Sequence, residues 1–234
     1  MTSPKSPFEA QQFKSNDGLL ISADFYPAAH AKDLILLCHR SHCNRGEYRE
    51  TAPKLNGLGY ACLAIDQRSG MKIFGVTNET SLRARQKGLA TGYLDARPDI
   101  EAAIDHAYEL NRRKPIILFG SSYSASLALW IATQTDKVKA VITFSPGEYL
   151  KKVTLAEEIR MLDKPTFVTG AKKEIAEINR LFRFVNPKVV TLFKPGVEGF
   201  HGSKTLWESV AGYETYWEAL EMFLSGLKPQ VRLD

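Results

Sequence analysis

The chain is short of cysteine, of long apolar runs and of charge blocks, and each shortage removes a class of protein. Three cysteines in 234 residues cannot frame a disulfide-built fold. An odd, small number in a chain this long points to a reducing, cytoplasmic compartment. No stretch approaches the ~18 consecutive apolar residues that a membrane helix needs. The N-terminal MTSPKSPFEA has no apolar core of roughly 7–15 residues, so no secretory leader is expected. The net charge is +5, with lysines and arginines scattered rather than clustered, and no nucleic-acid partner is expected. Internal repeats, low-complexity tracts and linkers are also missing, which leaves a single domain over 1–234. The Asn78-Glu79-Thr80 sequon carries no meaning in a cytoplasmic protein.

What is present is an alternation of two periods. Segments 8–15 and 19–27 flank Asn16-Asp17-Gly18, a hairpin signal. The run DLILLC (33–38) is continuously apolar and too short for a free helix, so it reads as a strand buried on both faces. Further strands are expected at 61–66, 115–120, 138–145, 165–170 and 188–193, making eight. Helical periodicity falls between them, at 47–60, 97–111, 124–134, 155–162, 174–185 and 203–227, the last open to interruption at Gly212. This rhythm predicts an α/β fold: a mostly parallel eight-stranded sheet with helices on both faces and an antiparallel hairpin leading in. Segment 67–97 is irregular, and a loop of that length past a strand's carboxyl end marks a ligand-binding edge.

The strand at 115–120 runs into a helix through Gly120-Ser121-Ser122-Tyr123-Ser124. This has the form of the G-x-S-x-G nucleophile elbow, with Ser124 in place of the second glycine. Ser122 is the candidate nucleophile, Ser121 its rival, and a helix N-cap serine the chemically inert alternative. A serine hydroxyl needs a base at neutral pH. Of the five histidines, His106 lies mid-helix and His30 in a polar loop. His201 lies in a glycine-flanked loop between the last strand and the last helix, which returns to the carboxyl edge. The base in turn needs a carboxylate. Glu174 is the first acid past the strand at 165–170, and Glu148, past the preceding strand, is its rival.

LILLCHRSHCNRGEY, GYACLAIDQRSG, LFGSSYSASLAL, VITFSPGEYL, PTFVTGAKKE and GFHGSK together resemble the α/β-hydrolase superfamily over nearly the whole chain. The likeness is to small, lidless bacterial esterases related to the dienelactone-hydrolase group. It implies hydrolysis of a small carboxylic ester through an acyl-enzyme, with Ser122 as nucleophile, His201 as base, Glu174 as acid and no cofactor. Only about twenty residues separate Phe144 from Pro165, too few for the large cap that many relatives carry. The family pattern also supplies two oxyanion donors, the amide of Tyr123 and one from the loop after the third strand. There the usual His-Gly-x is His39-Arg40-Ser41, so the donor is the Ser41 amide, with Arg40 as the alternative. Arg40, Arg68, Tyr93 and Arg97 are candidate substrate-binding residues. Thioester or peptide hydrolysis, acyl transfer, and a non-catalytic binding module are the other functions this fold allows.

The same loop, CHRSHC (38–43), packs two cysteines and two histidines into six residues and invites a metal reading. Structural zinc takes spaced pairs, and no second pair exists: Cys62 is the only other cysteine. Neighbouring side chains at a strand end point to opposite faces. No metal is therefore expected. Cys38 and Cys62 read as core residues, and Cys43 as exposed and reactive.

Overall fold

A computed structural model describes residues 7–227. The first six residues of the N-terminal segment read for a leader, and both ends of the 1–234 domain span, lie outside the described residues. Among the described residues eight strands form one sheet: β1 (Glu9–Lys14), β2 (Leu20–Tyr26), β3 (Asp33–Cys38), β4 (Tyr60–Ile65), β5 (Ile116–Ser121), β6 (Val138–Phe144), β7 (Thr166–Thr169) and β8 (Val190–Leu192). Their order is β1-β2-β4-β3-β5-β6-β7-β8. β1 and β2 pair antiparallel, β2 runs antiparallel to β4, and every pairing from β4 to β8 is parallel.

The apolar runs explain the layering. In β3, Leu34, Leu36 and Cys38 feed one core while Ile35 and Leu37 feed the other. β4 and β5 divide the same way, Leu63 and Leu118 against Cys62, Ile117 and Phe119. Alternate residues of a strand face opposite sides, so a strand buried on both sides has no polar positions to spare. One face is covered by α1 (Thr51–Gly57) and α7 (Tyr213–Gly226), through Ala52, Leu55, Trp217 and Leu220. The other is covered by α2 (Glu79–Gln86), α3 (Arg97–Leu110), α4 (Tyr123–Ala132), α5 (Leu155–Glu158) and α6 (Ile175–Leu181).

Five segments differ from the sequence expectation. Segment 67–97 holds α2 and a single 3-10 turn at Leu94–Ala96. The buried positions of α2 are Thr80, Ser81 and Ala84, so no apolar stripe betrays it. It is set instead by polar contacts: the Asn78 Oδ1 cap accepts from the Ser81 amide at 2.7 Å, and Asp66 accepts from the Glu79 amide at 3.0 Å. Asn78 is 2% exposed, which hides the sequon side chain inside this cap. The second difference is at 47–60, where the helix begins only at Thr51 and residues Arg45–Tyr48 form a 3-10 turn. The third is at 203–227, where helix starts only at Tyr213. Gly212 precedes it with φ +76°, and a Cβ there would lie 2.7 Å from Val197. The helices expected at 155–162 and 174–185 are also shorter than their patterns.

The strand order creates the crevice. The chain leaves β3 for β4 through α1 on one face, and leaves β5 for β6 through α4 on the other. β3 and β5 are neighbours whose connections part in opposite directions. Ligands of open α/β sheets sit outside the carboxyl ends at such a point.

Candidate active site

β5 ends at Ser121 and α4 begins at Tyr123, so Ser122 alone makes the turn, with φ 60° and ψ −126°. A non-glycine residue held there costs about 1–3 kcal/mol, and the surroundings enforce it. Gly120 lets strand and helix touch: a Cβ on it would lie 2.5 Å from the Ala125 Cα. The serine at the second-glycine position has a purpose beyond being small. The Ser124 hydroxyl donates to the His39 carbonyl and accepts from Gln67 Nε2, tying the elbow to the loop after β3.

Ser122, Glu174 and His201 come together from three different strand ends. His201 Nε2 lies 2.7 Å from Ser122 Oγ, and His201 Nδ1 lies 2.6 Å from Glu174 Oε1. An ionised Glu174 accepts from Nδ1–H and leaves Nε2 free to accept from the serine hydroxyl. The other Glu174 oxygen accepts from the Ser145 hydroxyl at 2.6 Å and the Ala171 amide at 2.9 Å. Burial pushes the Glu174 pKa upward, but the hydrogen bonds from His201, Ser145 and Ala171 outweigh it and hold the carboxyl below its ordinary value. Glu148 is occupied elsewhere, its two oxygens accepting from the Leu155 and Ala156 amides at the start of α5. Ser121 is also occupied, donating to Glu47 Oε1 at 2.8 Å.

Two residues of this cluster were not singled out in the sequence. Ser145, just past β6 with φ 56°, bridges Glu174 and the Gly202 amide, from which its hydroxyl oxygen accepts at 2.8 Å. Tyr149 sets its ring edge-on to His201, with centroids 6.3 Å apart. Burial, and then the Glu174 charge, raise its phenol to about 12. The signal for Ser145 was its place at the carboxyl end of a strand adjacent to β5 and β7; Tyr149 had none.

The loop after β3 is held by Gln67. Its Oε1 accepts from the His39 backbone amide at 2.9 Å, and its backbone N–H donates to His39 Nε2 at 3.0 Å. His39 Nδ1–H therefore donates to the Arg40 carbonyl, 2.7 Å away. Burial lowers the His39 pKa to about 4, against the opposing pull of these backbone bonds. Both ring nitrogens are used in a neutral, buried imidazole, which is no metal ligand. Among the described residues no three His, Cys, Asp or Glu side chains converge as a metal site would require. The Arg40 amide donates to Glu47 Oε2 at 2.9 Å, whereas the amides of Ser41 and Tyr123 find no acceptor among the described residues.

Several expectations need correction. Arg68 does not face the crevice as a binding group: it is buried in ion pairs at 2.6 Å with both Asp99 and Asp17. Arg97 pairs with Glu101 and lies over the Trp130 ring at 4.2 Å. Cys43 is fully buried, not exposed, and burial pushes its thiol upward in pKa, away from the reactive thiolate. Cys38 and Cys62 are core residues. Tyr93 stacks on the Tyr123 ring with centroids 4.5 Å apart, and Arg40 lies over Phe200 at 5.6 Å. A cavity of about 980 Å³, lined by residues that include Phe167, Leu192 and Phe223, touches none of Ser122, Glu174 or His201.

Fold and strand-end geometry make this an α/β hydrolase. The chain belongs to the family described as serine aminopeptidase, S33, whose model matches residues 29–180. Among solved structures it is similar to an esterase of Pyrococcus furiosus, with 16% identity, a TM-score of 0.70, and 96% of this chain and 95% of that chain covered. It is also similar to a dienelactone hydrolase of Anabaena variabilis ATCC 29413, at 16% identity and TM-score 0.71, covering 93% and 96% of the two chains. The esterase domain of a Rhodothermus marinus protein aligns at 16% identity and TM-score 0.63, covering 92% and 97%. At this identity the likeness speaks for the fold. No curated protein sequence matches the chain.

Proposed function

We propose that the protein is a serine hydrolase that cleaves small carboxylic esters through an acyl-enzyme. The observation that carries this reading is the unbroken hydrogen-bond line from Ser122 Oγ through His201 to Glu174, at 2.7 and 2.6 Å. His201 takes the hydroxyl proton at Nε2 as Ser122 Oγ attacks the ester carbonyl. Glu174 stabilises the imidazolium without taking its proton. The Ser41 and Tyr123 amides receive the developing oxyanion, each such donor contributing roughly 10²–10³ in rate. His201 then protonates the leaving alcohol, and a water it deprotonates clears the acyl group. None of these steps needs a cofactor.

Peptide hydrolysis is the second reading, favoured by the description of the family model. The triad is the same, and only the leaving group changes from alcohol to amine. We also propose that the chain acts in the cytoplasm, because its three cysteines are all unpaired and buried. Among the described residues no helix is long and apolar enough to cross a membrane.

The test is labelling with a fluorophosphonate probe, peptide mapping, and hydrolysis of short p-nitrophenyl esters beside aminoacyl anilides. Label on Ser122, and loss of ester turnover in Ser122→Ala, are expected. A folded chain that takes no label would be a binding module on a hydrolase fold. Faster turnover of the anilides would favour the peptidase.

A further inference from the structure

Glu47 is fully buried, and its carboxylate has no cationic partner among the described residues. Such a group is expensive to bury unless it is well hydrogen-bonded. Here it accepts from three donors that belong to three different loops. Oε2 takes the Arg40 amide at 2.9 Å, from the loop that presents the Ser41 amide. Oε1 takes the Ser121 hydroxyl at 2.8 Å, from the residue before the candidate nucleophile. Oε1 also takes the Ser203 hydroxyl at 2.6 Å, two residues past His201. The Ser203 amide then donates to Ser121 Oγ at 2.9 Å, closing a ring between the elbow and the histidine loop. The Glu47 carbonyl holds Trp207 Nε1 at 3.0 Å, further along the same loop.

We propose that Glu47 is a positioning residue that sets the oxyanion loop, the nucleophile elbow and the histidine loop in register. This rests on the serine-hydrolase reading above. An acceptor-only carboxylate fixes the direction of each bond: both hydroxyls must donate to it, so Ser121 Oγ must accept from the Ser203 amide. The Arg40 amide is fixed on Glu47, and the next amide, that of Ser41, finds no acceptor among the described residues. The carboxylate touches no reacting atom. Its effect belongs in kcat, because a misplacement near 1 Å of the reacting groups costs on the order of 10²-fold.

Glu47→Gln and Ser203→Ala in the full chain test this, with Ser122→Ala as control. The glutamine amide can keep an oxygen on the Arg40 amide and turn its nitrogen to the serines, but it orphans their hydroxyl protons. Ester turnover in Glu47→Gln is expected to fall roughly 10- to 100-fold in kcat with KM within about threefold. Ser203→Ala removes one of the three donors and should fall by a smaller factor, again in kcat. Hydrogen exchange supplies a readout that does not need activity. Ser203→Ala should deprotect residues 39–47 as well as its own loop, a spread that a purely local role would not produce. Wild-type kcat in both variants, or deprotection confined to the loop around residue 203, overturns the proposal. A wild-type chain that turns over no ester would count against the hydrolase reading instead, and the exchange result would still decide the coupling.

Discussion

Replacing Glu174 with glutamine should disable the site by reversing a tautomer. One Glu174 oxygen accepts from the Ala171 amide at 2.9 Å and the Ser145 hydroxyl at 2.6 Å, and the other accepts from His201 Nδ1. The Ala171 amide is backbone and can only donate. A glutamine must therefore put its oxygen there and its NH₂ against His201. Nδ1 then becomes the acceptor, the proton moves to Nε2, and Nε2–H points at Ser122 Oγ with no lone pair to take the hydroxyl proton. The expected loss is about ten-thousand-fold in kcat, near 5 kcal/mol at ~1.36 kcal/mol per decade. KM for a short p-nitrophenyl ester should stay within about threefold, because the shape of the crevice is kept. Glu148→Gln is the internal control: it weakens the two amide bonds at the start of α5 and should leave kcat unchanged. A Glu174→Gln variant that keeps more than about a tenth of wild-type kcat would refute the tautomer argument.

Arg68→Ala should act on stability rather than on substrate. It strands Asp99, whose side chain is 0% exposed, and losses of this kind run to about 3–5 kcal/mol, or roughly 10 °C in a melting scan, with KM unchanged. A raised KM with unaltered melting would restore Arg68 as a binding residue. Acid sensitivity should show the buried His39. Its folded pKa of about 4 lies below the ordinary 6.5, so the unfolded chain binds a proton that the native chain refuses. That stability is fully present above 6.5 and is lost as the pH falls through 4, about 3 kcal/mol in all. In NMR titrations the His39 ring should keep its neutral shift at a pH of ~5.5, and a His39 ring that titrates near ~6.5 would contradict this.

What could be read in the sequence was whatever a short window carries. β3, β4 and β5 announced themselves because burial on both faces leaves only apolar side chains. The elbow did so because a one-residue strand-to-helix turn needs small neighbours. Glu174 and His201, which the structure brings within 2.6 Å of each other, were picked out from their places after strands, which is topology rather than pattern. The helix α2 was missed because its inward face is Thr80, Ser81 and Ala84, and its cap works through Asp66 and Asn78. Arg68 was misjudged for a related reason. Its partners are 31 and 51 residues away in the chain, and no local pattern marks an ion pair at that separation. Ser145 and Glu47 also act through contacts that exist only after the strands have been ordered.

The arginine at the usual glycine position is explained by where the loop makes its bend. Glycine would be required at residue 40 if its backbone were left-handed, but among the described residues of this loop the positive φ falls on His42, at 55°. Arg40 needs only an ordinary conformation, and its amide and carbonyl are both committed, to Glu47 and to His39 Nδ1. A side chain is thus free to leave this position and lie across Phe200, next to His201. The two ends of the CHRSHC segment have been absorbed into the core, with Cys38 and Cys43 both buried. The imidazole that looked like a metal ligand instead fixes the peptide leading to Ser41. Of the four apparent ligands it is His39 alone that braces the loop, one ring nitrogen taking the Gln67 backbone amide and the other giving to the Arg40 carbonyl, while the Ser41 amide beyond it finds no acceptor among the described residues.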